Sequence, residues 1–316
     1  MKNSTIIIIV SLFVTLASHS LLGQKHIQVF PDDTLKISID QSRGLLQWEI
    51  SYDSINWSPI VGQQTAMLET VVDSLPAWFR LEIIEGECLP WYSEVLTVTE
   101  AEPFICGNNI SHGYVSGVTP DNTAQFASRS YSTVQGTWPG QGGDKCWLKM
   151  NLGATKEAST ATDTDLDAAG WFFQFNRKQA FVNDGVNRIP NTPWINPINE
   201  NFDWVSVNDP CTQLLGGDWR LPTQVEWNAF LTASTAQGGV GSGYLSDAYA
   251  STLKIHAGGN LSGGDGSLQN VGNYGYFWSA IQNSNNTAGS FRFSSSGSFP
   301  VNATKNFGFA VRCIND

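Results

Sequence analysis

Residues 219–227 read Trp219-Arg220-Leu221-Pro222-Thr223-Gln224-Val225-Glu226-Trp227, and they contain the clearest helix signal in the chain. Thr223 and Glu226 have the spacing of a capping box, in which each side chain accepts a hydrogen bond from the other residue's backbone N–H group. Val225, Trp227, Phe230 and Leu231 predict the apolar face of a helix of about ten residues. A catalytic acid is the alternative for Glu226, but the cap accounts for this residue without chemistry.

The sequence after this helix predicts short strands joined by tight turns. Eleven of the thirty Gly lie between residues 238 and 275, where their conformational freedom favours turns. Three segments with alternating aromatic or apolar residues follow at 276–278, 291–293 and 307–313, and we interpret them as closing strands.

Residues 183–210 form the candidate working surface. This segment contains four Pro and is mostly polar, and long irregular segments inside compact domains are often functional loops. Trp194 and Trp204 are the candidate ligand-binding residues, because an exposed Trp offers a flat apolar face to a sugar ring or a peptide. The alternative is that both rings pack beneath the loop as its own small core.

The N-terminal part of the chain has a different composition. Residues 24–103 contain 13 Asp and Glu against 4 Lys and Arg, whereas residues 104–316 contain 15 against 12. The shift at residues 100–103 predicts a linker between two domains, 24–103 and 104–316. Alternating apolar residues at 35–39, 46–50 and 79–83 predict that the first domain is an antiparallel β-sandwich.

Residues 1–23 have the layout of a secretory signal peptide. Lys2 precedes an apolar run at residues 6–16 and a small, polar exit, with cleavage expected after Ser20 or Gly23. The apolar run is shorter than the ~20 residues that a membrane span requires. We therefore expect a secreted, cell-surface or periplasmic protein that does not span a membrane.

Charge and side-chain chemistry exclude several function classes. The net charge of −11 argues against nucleic-acid binding, since an acidic chain repels phosphate backbones. Residues 163–167 begin like a calcium loop, but Ala168 stands where that loop needs Gly and Gln174 where it needs Glu. The four His do not cluster with Ser or Cys, and no Cys pair has zinc-site spacing. We predict no cofactor, and calcium has only weak support.

Six motifs occur together in the order found in one known family: 146–153, 170–172, 209–211, 219–227, 275–279 and 311–314. With these motifs in this order, residues 104–316 resemble the Fibrobacter succinogenes major paralogous domain family. The resemblance implies an α+β, C-type-lectin-like fold and an exported location, without an assigned reaction. Residues 24–103 resemble the Ig-like modules of exported proteins from Bacteroidetes-type bacteria, which implies an antiparallel Ig-like sandwich before that domain.

The lectin-like resemblance also implies a disulfide between Cys211 and Cys313. Cys106 and Cys146 flank the entry to the second domain and form the expected second bridge, with Cys88 as the odd, buried thiol. A bridge from Cys88 to Cys106 is the main competitor, and it would leave Cys146 free.

The expected function is that of a non-catalytic binding, surface-assembly or adhesion protein whose partner is a glycan or a surface protein. One alternative is an enzyme: a glycan hydrolase, or a relative of the formylglycine-generating oxidase domain. That domain is more distantly similar at residues 220–227 and 308–313, but its copper chemistry needs paired thiols and the last hundred residues hold only Cys313. The other alternative is a structural spacer without a binding groove.

Overall fold

A computed structural model describes residues 5–8, 25–29, 34–38, 44–100, 104–115, 117–119, 126–241 and 243–316. The chain divides into two compact units, Met1–Phe104 and Ile105–Asp316. The boundary lies beside the composition shift at residues 100–103. Of the segment predicted as a signal peptide, only Thr5–Ile8 lies within the described residues, as a strand.

The first unit is built from strands. They are β1 (Thr5–Ile8), β2 (Lys25–Val29), β3 (Thr34–Ser38), β4 (Leu45–Ser51), β5 (Ser58–Pro59), β6 (Met67–Val71), β7 (Ala77–Ile84), β8 (Trp91–Tyr92) and β9 (Leu96–Glu100). They form a three-stranded sheet, β1-β3-β6, and a sheet in the order β2-β9-β7-β4-β5 with β8 paired to β7.

Both sheets of the first unit contribute to one core. Leu35 and Leu68 from the smaller sheet and Trp48, Phe79 and Leu81 from the larger one belong to a single buried cluster. In β7 buried and half-buried residues alternate along the whole strand, so the period-2 prediction is confirmed there. The prediction of antiparallel strands for residues 24–103 is wrong at β2 and β9, which pair in parallel.

The strands of the second unit form several sheets of different size. Its strands are β10 (Ile110–His112), β11 (Arg129–Tyr131), β12 (Thr133–Gly136), β13 (Lys145–Leu148), β14 (Phe172–Gln174), β15 (Val182–Asn183), β16 (Arg188–Ile189), β17 (Trp219–Arg220), β18 (Asn260–Leu261), β19 (Leu268–Gln269), β20 (Tyr274–Gln282), β21 (Thr287–Ser294), β22 (Gly297–Thr304), β23 (Gly308–Ala310) and β24 (Ile314–Asn315). Its helices are α1 (Leu166–Ala169), α2 (Pro210–Leu215), α3 (Gln224–Thr232) and α4 (Leu245–Ala250), with a 3-10 turn at Thr235–Gln237.

The largest sheet in the described part has seven strands, in the order β19-β18-β23-β20-β21-β22 with β14 paired to β23. A four-stranded sheet has the order β12-β13-β24-β17, and the pairs β10–β11 and β15–β16 are separate. Trp227 of α3 packs against Phe277 and Phe291 of the large sheet, at ring-centroid distances of 5.5 Å, and against Trp147 of β13 at 5.3 Å. The core of the second unit therefore lies between α3 and these two sheets.

The α+β, C-type-lectin-like prediction for residues 104–316 is wrong. The structure is 35% strand and 10% helix, and its seven-stranded sheet does not support that fold. The longest helix among the described residues, α3, has 9 residues. The helix signal at 219–227 was correctly located, but Gly-rich and alternating aromatic sequence around it favours turns and strands.

Two disulfides join described residues of the second unit. Cys106 is bonded to Cys146, and Cys211 to Cys313, which are the expected pairs. The free thiol is Cys88, but it is exposed and not buried as expected, because it lies in the turn between β7 and β8.

Among the described residues there is no helix of the length and hydrophobicity that crossing a membrane requires.

Candidate functional site

One face of the seven-stranded sheet carries a row of large side chains that runs across four strands. Backbone register places Tyr276 of β20 opposite Arg292 of β21, and Arg292 opposite Phe299 of β22. Phe309 of β23 stacks on Tyr276, with ring centroids 4.9 Å apart and an interplanar angle of 18°. Because neighbouring residues of a strand point to opposite faces, the flanking Phe291 and Phe293 enter the core beneath this row.

Tyr276, Arg292 and Phe309 of this row border a cavity of about 450 Å³. This volume is within the range of about 300–1,000 Å³ typical of small-molecule sites. We call it the aromatic groove. Its lining combines aromatic, amide and cationic side chains with one side of β22: Tyr276, Phe307, Phe309, Asn260, Gln269, Asn270, Arg292 and residues 301–304.

The aromatic groove has a fixed apolar wall. Phe309 is only 2% exposed, and it stacks on Phe307 at 5.5 Å as well as on Tyr276. The rings of Tyr276 and Phe307 are half-buried, so each keeps part of its surface open. A ligand therefore meets rings that packing has already positioned.

The polar side of the groove is formed by amides. Asn260 is 1% exposed, donates to the Leu261 carbonyl at 3.2 Å and accepts a hydrogen bond of 2.7 Å from Asn270 Nδ2. Gln269 and Asn302 are exposed, and their side chains make no hydrogen bond to any described residue. The groove thus offers amide groups that can both donate and accept hydrogen bonds.

Arg292 supplies the positive charge of the groove. Its guanidinium carbon lies 4.4 Å from the centroid of the Phe299 ring and 5.5 Å from that of Tyr274. Burial raises the pKa of Tyr276 above its ordinary value, although the hydrogen bond and charge of Arg292 oppose this effect. Tyr276 is therefore a neutral phenol at physiological pH and can donate a hydrogen bond.

None of the described residues that line the aromatic groove is Asp or Glu. The arrangement can stack on the apolar face of a ligand, hydrogen bond its polar edge and neutralise an anionic group. It lacks the two facing carboxylates that glycoside hydrolysis ordinarily uses.

The two Trp predicted as ligand-binding residues lie outside the lining of this groove. Trp204 is 8% exposed, packs on Phe175 at 5.0 Å and donates from Nε1 to the Asn208 carbonyl at 2.9 Å. Trp194 is half-buried: it packs on Phe181 at 5.2 Å, and its Nε1 donates to the Gly263 carbonyl at 3.2 Å. Both rings therefore pack on residues outside the 183–210 segment, Phe175 and Phe181, which favours a structural role and not a core made by the loop alone.

The motif at 219–227 is a structural network. Glu226 is 4% exposed and accepts hydrogen bonds from Thr223 N at 2.7 Å and from two nitrogens of Arg220 at 2.9 and 2.6 Å, so the capping box is confirmed. Burial raises the pKa of Glu226, but the hydrogen bonds from Arg220 and Thr223 outweigh this effect and hold it below its ordinary value. Trp219 is buried, with 2% of its surface exposed, and Trp227 lies in the core. Pro222 lies between β17 and the Thr223 cap.

The acidic segment at 163–167 uses its carboxylates within its own turns. Asp163 accepts hydrogen bonds from the backbone N–H groups of Ser159 and Asp165, and Asp165 caps α1 and pairs with Lys156. In the described part of the chain no group of three or more His, Cys, Asp or Glu is arranged to hold a metal ion.

A second cavity of about 580 Å³ lies beside this segment, lined in part by Asp165, Asp167 and Asp184. Asp184 accepts hydrogen bonds from the backbone N–H groups of Val186 and Asn187, as Asp165 does from that of Asp167. Since the carboxylates of Asp165 and Asp184 already stabilise local turns, the aromatic groove is the stronger candidate site.

Sequence reasoning located three of the strands that border the groove, but neither β22 nor the groove itself. The segments 276–278 and 291–293 lie within β20 and β21, and β23 lies within 307–313, as predicted. The available signal was the sequence Phe291-Arg292-Phe293, which places a cation on the face opposite two core rings.

A family model described as a domain of unknown function (DUF8696) matches residues 29–102, which lie within the first unit. No curated protein and no solved structure matches the chain significantly.

Proposed function

We propose that the second unit binds a glycan in the aromatic groove and that the chain is an exported, non-catalytic binding protein of the cell surface or periplasm. The observation that carries this proposal is the combination of stacked rings and free amides around one cavity of about 450 Å³. A structural spacer does not require such a cavity.

A pyranose ring needs both kinds of surface. Its C–H groups form an apolar face that packs on an aromatic ring, while its hydroxyl groups need donors and acceptors at the ring edge. Tyr276 and Phe307 supply the first surface, and Gln269, Asn270 and Asn302 supply the second. A purely apolar ligand would leave the amides of Gln269 and Asn302 without hydrogen-bond partners, which costs binding free energy.

The side chains of the second unit support the two enzyme alternatives less well. A hydrolase of the common type needs two carboxylates beside the bound sugar, and the described lining of the groove contains none. A copper oxidase of the formylglycine-generating type needs paired thiols, whereas the cysteines of the second unit are joined as disulfides.

Export is supported by the two disulfides, since such bonds persist in oxidising compartments. Mature protein from the native host should begin at or before Gln24 and lack Met1. N-terminal sequencing of the secreted or periplasmic fraction tests this, and an intact Met1 terminus there would contradict it.

A glycan array with the full chain, followed by calorimetry on the best ligand, tests glycan binding. Tyr276→Ala and Phe307→Ala should each weaken binding at least about fivefold, which corresponds to the ~1 kcal/mol expected for one lost aromatic contact. Both side chains are half-buried, so the melting temperature should change little.

Phe202→Ala is the matched control. Phe202 is 61% exposed and lies in the 183–210 segment, away from the groove lining. Its replacement should leave binding unchanged. Weaker binding by Phe202→Ala, with Tyr276→Ala and Phe307→Ala unaffected, would move the site to the loop and refute the proposal.

A further inference from the structure

Arg292 differs from the other groove residues because it carries the only formal charge in the described lining. Within the described part of the chain no carboxylate lies within 4.0 Å of its guanidinium, and its buried Nε has no hydrogen-bond partner. In contrast, Arg80, Arg177 and Arg220 each pair with a Glu.

The Arg292 side chain is nevertheless held in place. Phe299 covers one part of the guanidinium at 4.4 Å, and Tyr274 lies 5.5 Å away. Aromatic contacts of this kind orient a guanidinium without using its in-plane N–H donors. Arg292 donates a hydrogen bond to Tyr276, its cross-strand neighbour, and the remaining N–H groups of the guanidinium are available to a ligand beside that ring.

We propose that the aromatic groove selects acidic saccharides, with Arg292 binding a carboxylate or sulfate group while Tyr276 and Phe307 pack on the sugar ring. This inference rests on the proposed glycan-binding function and names the class of glycan. A guanidinium binds a planar carboxylate, or two oxygens of a sulfate, through two parallel hydrogen bonds.

The net charge of the whole chain means that this selectivity must depend on local contacts in the groove. With a net charge of −11, the protein does not attract polyanions at long range. Preference for an acidic sugar must therefore come from contact inside the groove, and it should depend on one residue. A general basic patch would instead lose affinity gradually as any of several cations is removed.

The test compares charged and uncharged forms of the same saccharide by calorimetry on the full chain. The carboxylate probe is oligogalacturonate, with its methyl ester as the neutral partner, and the sulfate probe is dextran sulfate, with dextran as its neutral partner. An array of other acidic and neutral glycans is measured in parallel. Arg292→Gln removes the charge, Arg292→Lys keeps it without the planar fork, and Lys149→Gln is the control that removes a cation outside the groove.

We expect an acidic glycan to bind at least about tenfold more tightly than its neutral partner, and Arg292→Gln to abolish this difference. Arg292→Lys should retain only part of it, and Lys149→Gln should retain all of it. The probe class that responds distinguishes carboxylate from sulfate. Melting temperatures check that each variant is folded.

Two results would overturn the inference in distinguishable ways. If glycans bind through Tyr276 but charged and neutral forms bind equally, or if Arg292→Gln has no effect, acidic selectivity is refuted and glycan binding stands. If no glycan on the array or among the probes binds, the proposed function fails and this inference fails with it.

Discussion

His256 should make the second unit less stable in mild acid. The side chain is 2% exposed, and its Nε2 has no hydrogen-bond partner among the described residues. Burial, together with the nearby positive charge of Arg312, lowers the pKa of His256 from 6.5 to about 4, while the charge of Asp163 opposes the shift. The folded protein therefore keeps this imidazole neutral at pH values where an unfolded chain protonates it.

The sign and size of the effect follow from proton linkage. Between pH 6.5 and pH 4 the unfolded state binds more protons at this site than the folded state, so the free energy of unfolding falls as the pH falls. The contribution is fully present above pH 6.5. The two pKa values correspond to a loss of ~2 kcal/mol between pH 7.5 and pH 5, and ~3 kcal/mol by pH 4.

Urea unfolding of the wild type and of His256→Gln, followed by Trp fluorescence at several pH values, measures this term. The variant removes the titrating group and keeps a polar side chain of similar length. Asp209 acts in the opposite direction, because burial raises its pKa to about 6 and its protonation stabilises the fold as the pH falls below that value. Its contribution is common to both proteins and cancels in their difference.

The difference in unfolding free energy should therefore shrink or reverse in favour of the variant as the pH falls from 7.5 to 5. A difference in unfolding free energy that is already present at pH 7.5 does not affect the test. Only the change of this difference with pH reports the titration. Parallel profiles for the two proteins over this range would refute a depressed pKa at His256, and a histidine resonance that titrates near pH 6.5 in both states would identify the reason.

Two further predictions concern the cysteines. Replacing Cys211 and Cys313 by Ala should lower the free energy of unfolding by ~5 kcal/mol, because their bridge spans a sequence separation of 102, whereas ~4 kcal/mol is expected for Cys106 and Cys146, with a separation of 40. Both members of the first pair are fully buried, which adds a packing loss, so urea unfolding that shows the second pair to be the more important would contradict this order. A thiol reagent should label one cysteine of the native protein, and peptide mapping should locate the label at Cys88, since this thiol is free and exposed. Labelling of any other cysteine before unfolding would show that a disulfide is absent in solution.

Local features of the second unit were predictable from sequence because they depend on residues close together in the chain. The Thr223–Glu226 cap requires only a spacing of three residues, and it forms as predicted. The strand segments around Phe277 and Phe291 were likewise visible from alternation. Such signals describe one element at a time.

The sheet arrangement was not predictable in the same way. The resemblance rests on short motifs, and these fix neither how many strands join one sheet nor how much helix separates them. Phe172–Gln174 joins the large sheet by pairing with β23, although more than a hundred residues separate the two strands. Pairing at this distance depends on the packing of the whole unit, which is why the α+β prediction failed while the cap was located correctly.

The aromatic groove shows the same limit at the level of a site. The sequence Phe291-Arg292-Phe293 predicts that Arg292 and the two rings face opposite ways, but it does not say which face is solvated. That choice depends on register, because a shift of one residue would send Arg292 into the core and the two Phe outward. Register is fixed here by contacts from other elements, chiefly the packing of Trp227 on Phe291 and Phe293. The site therefore follows from the core beneath it: α3 holds one face of the sheet, and the opposite face is left to present Tyr276, Arg292 and Phe309 as one surface.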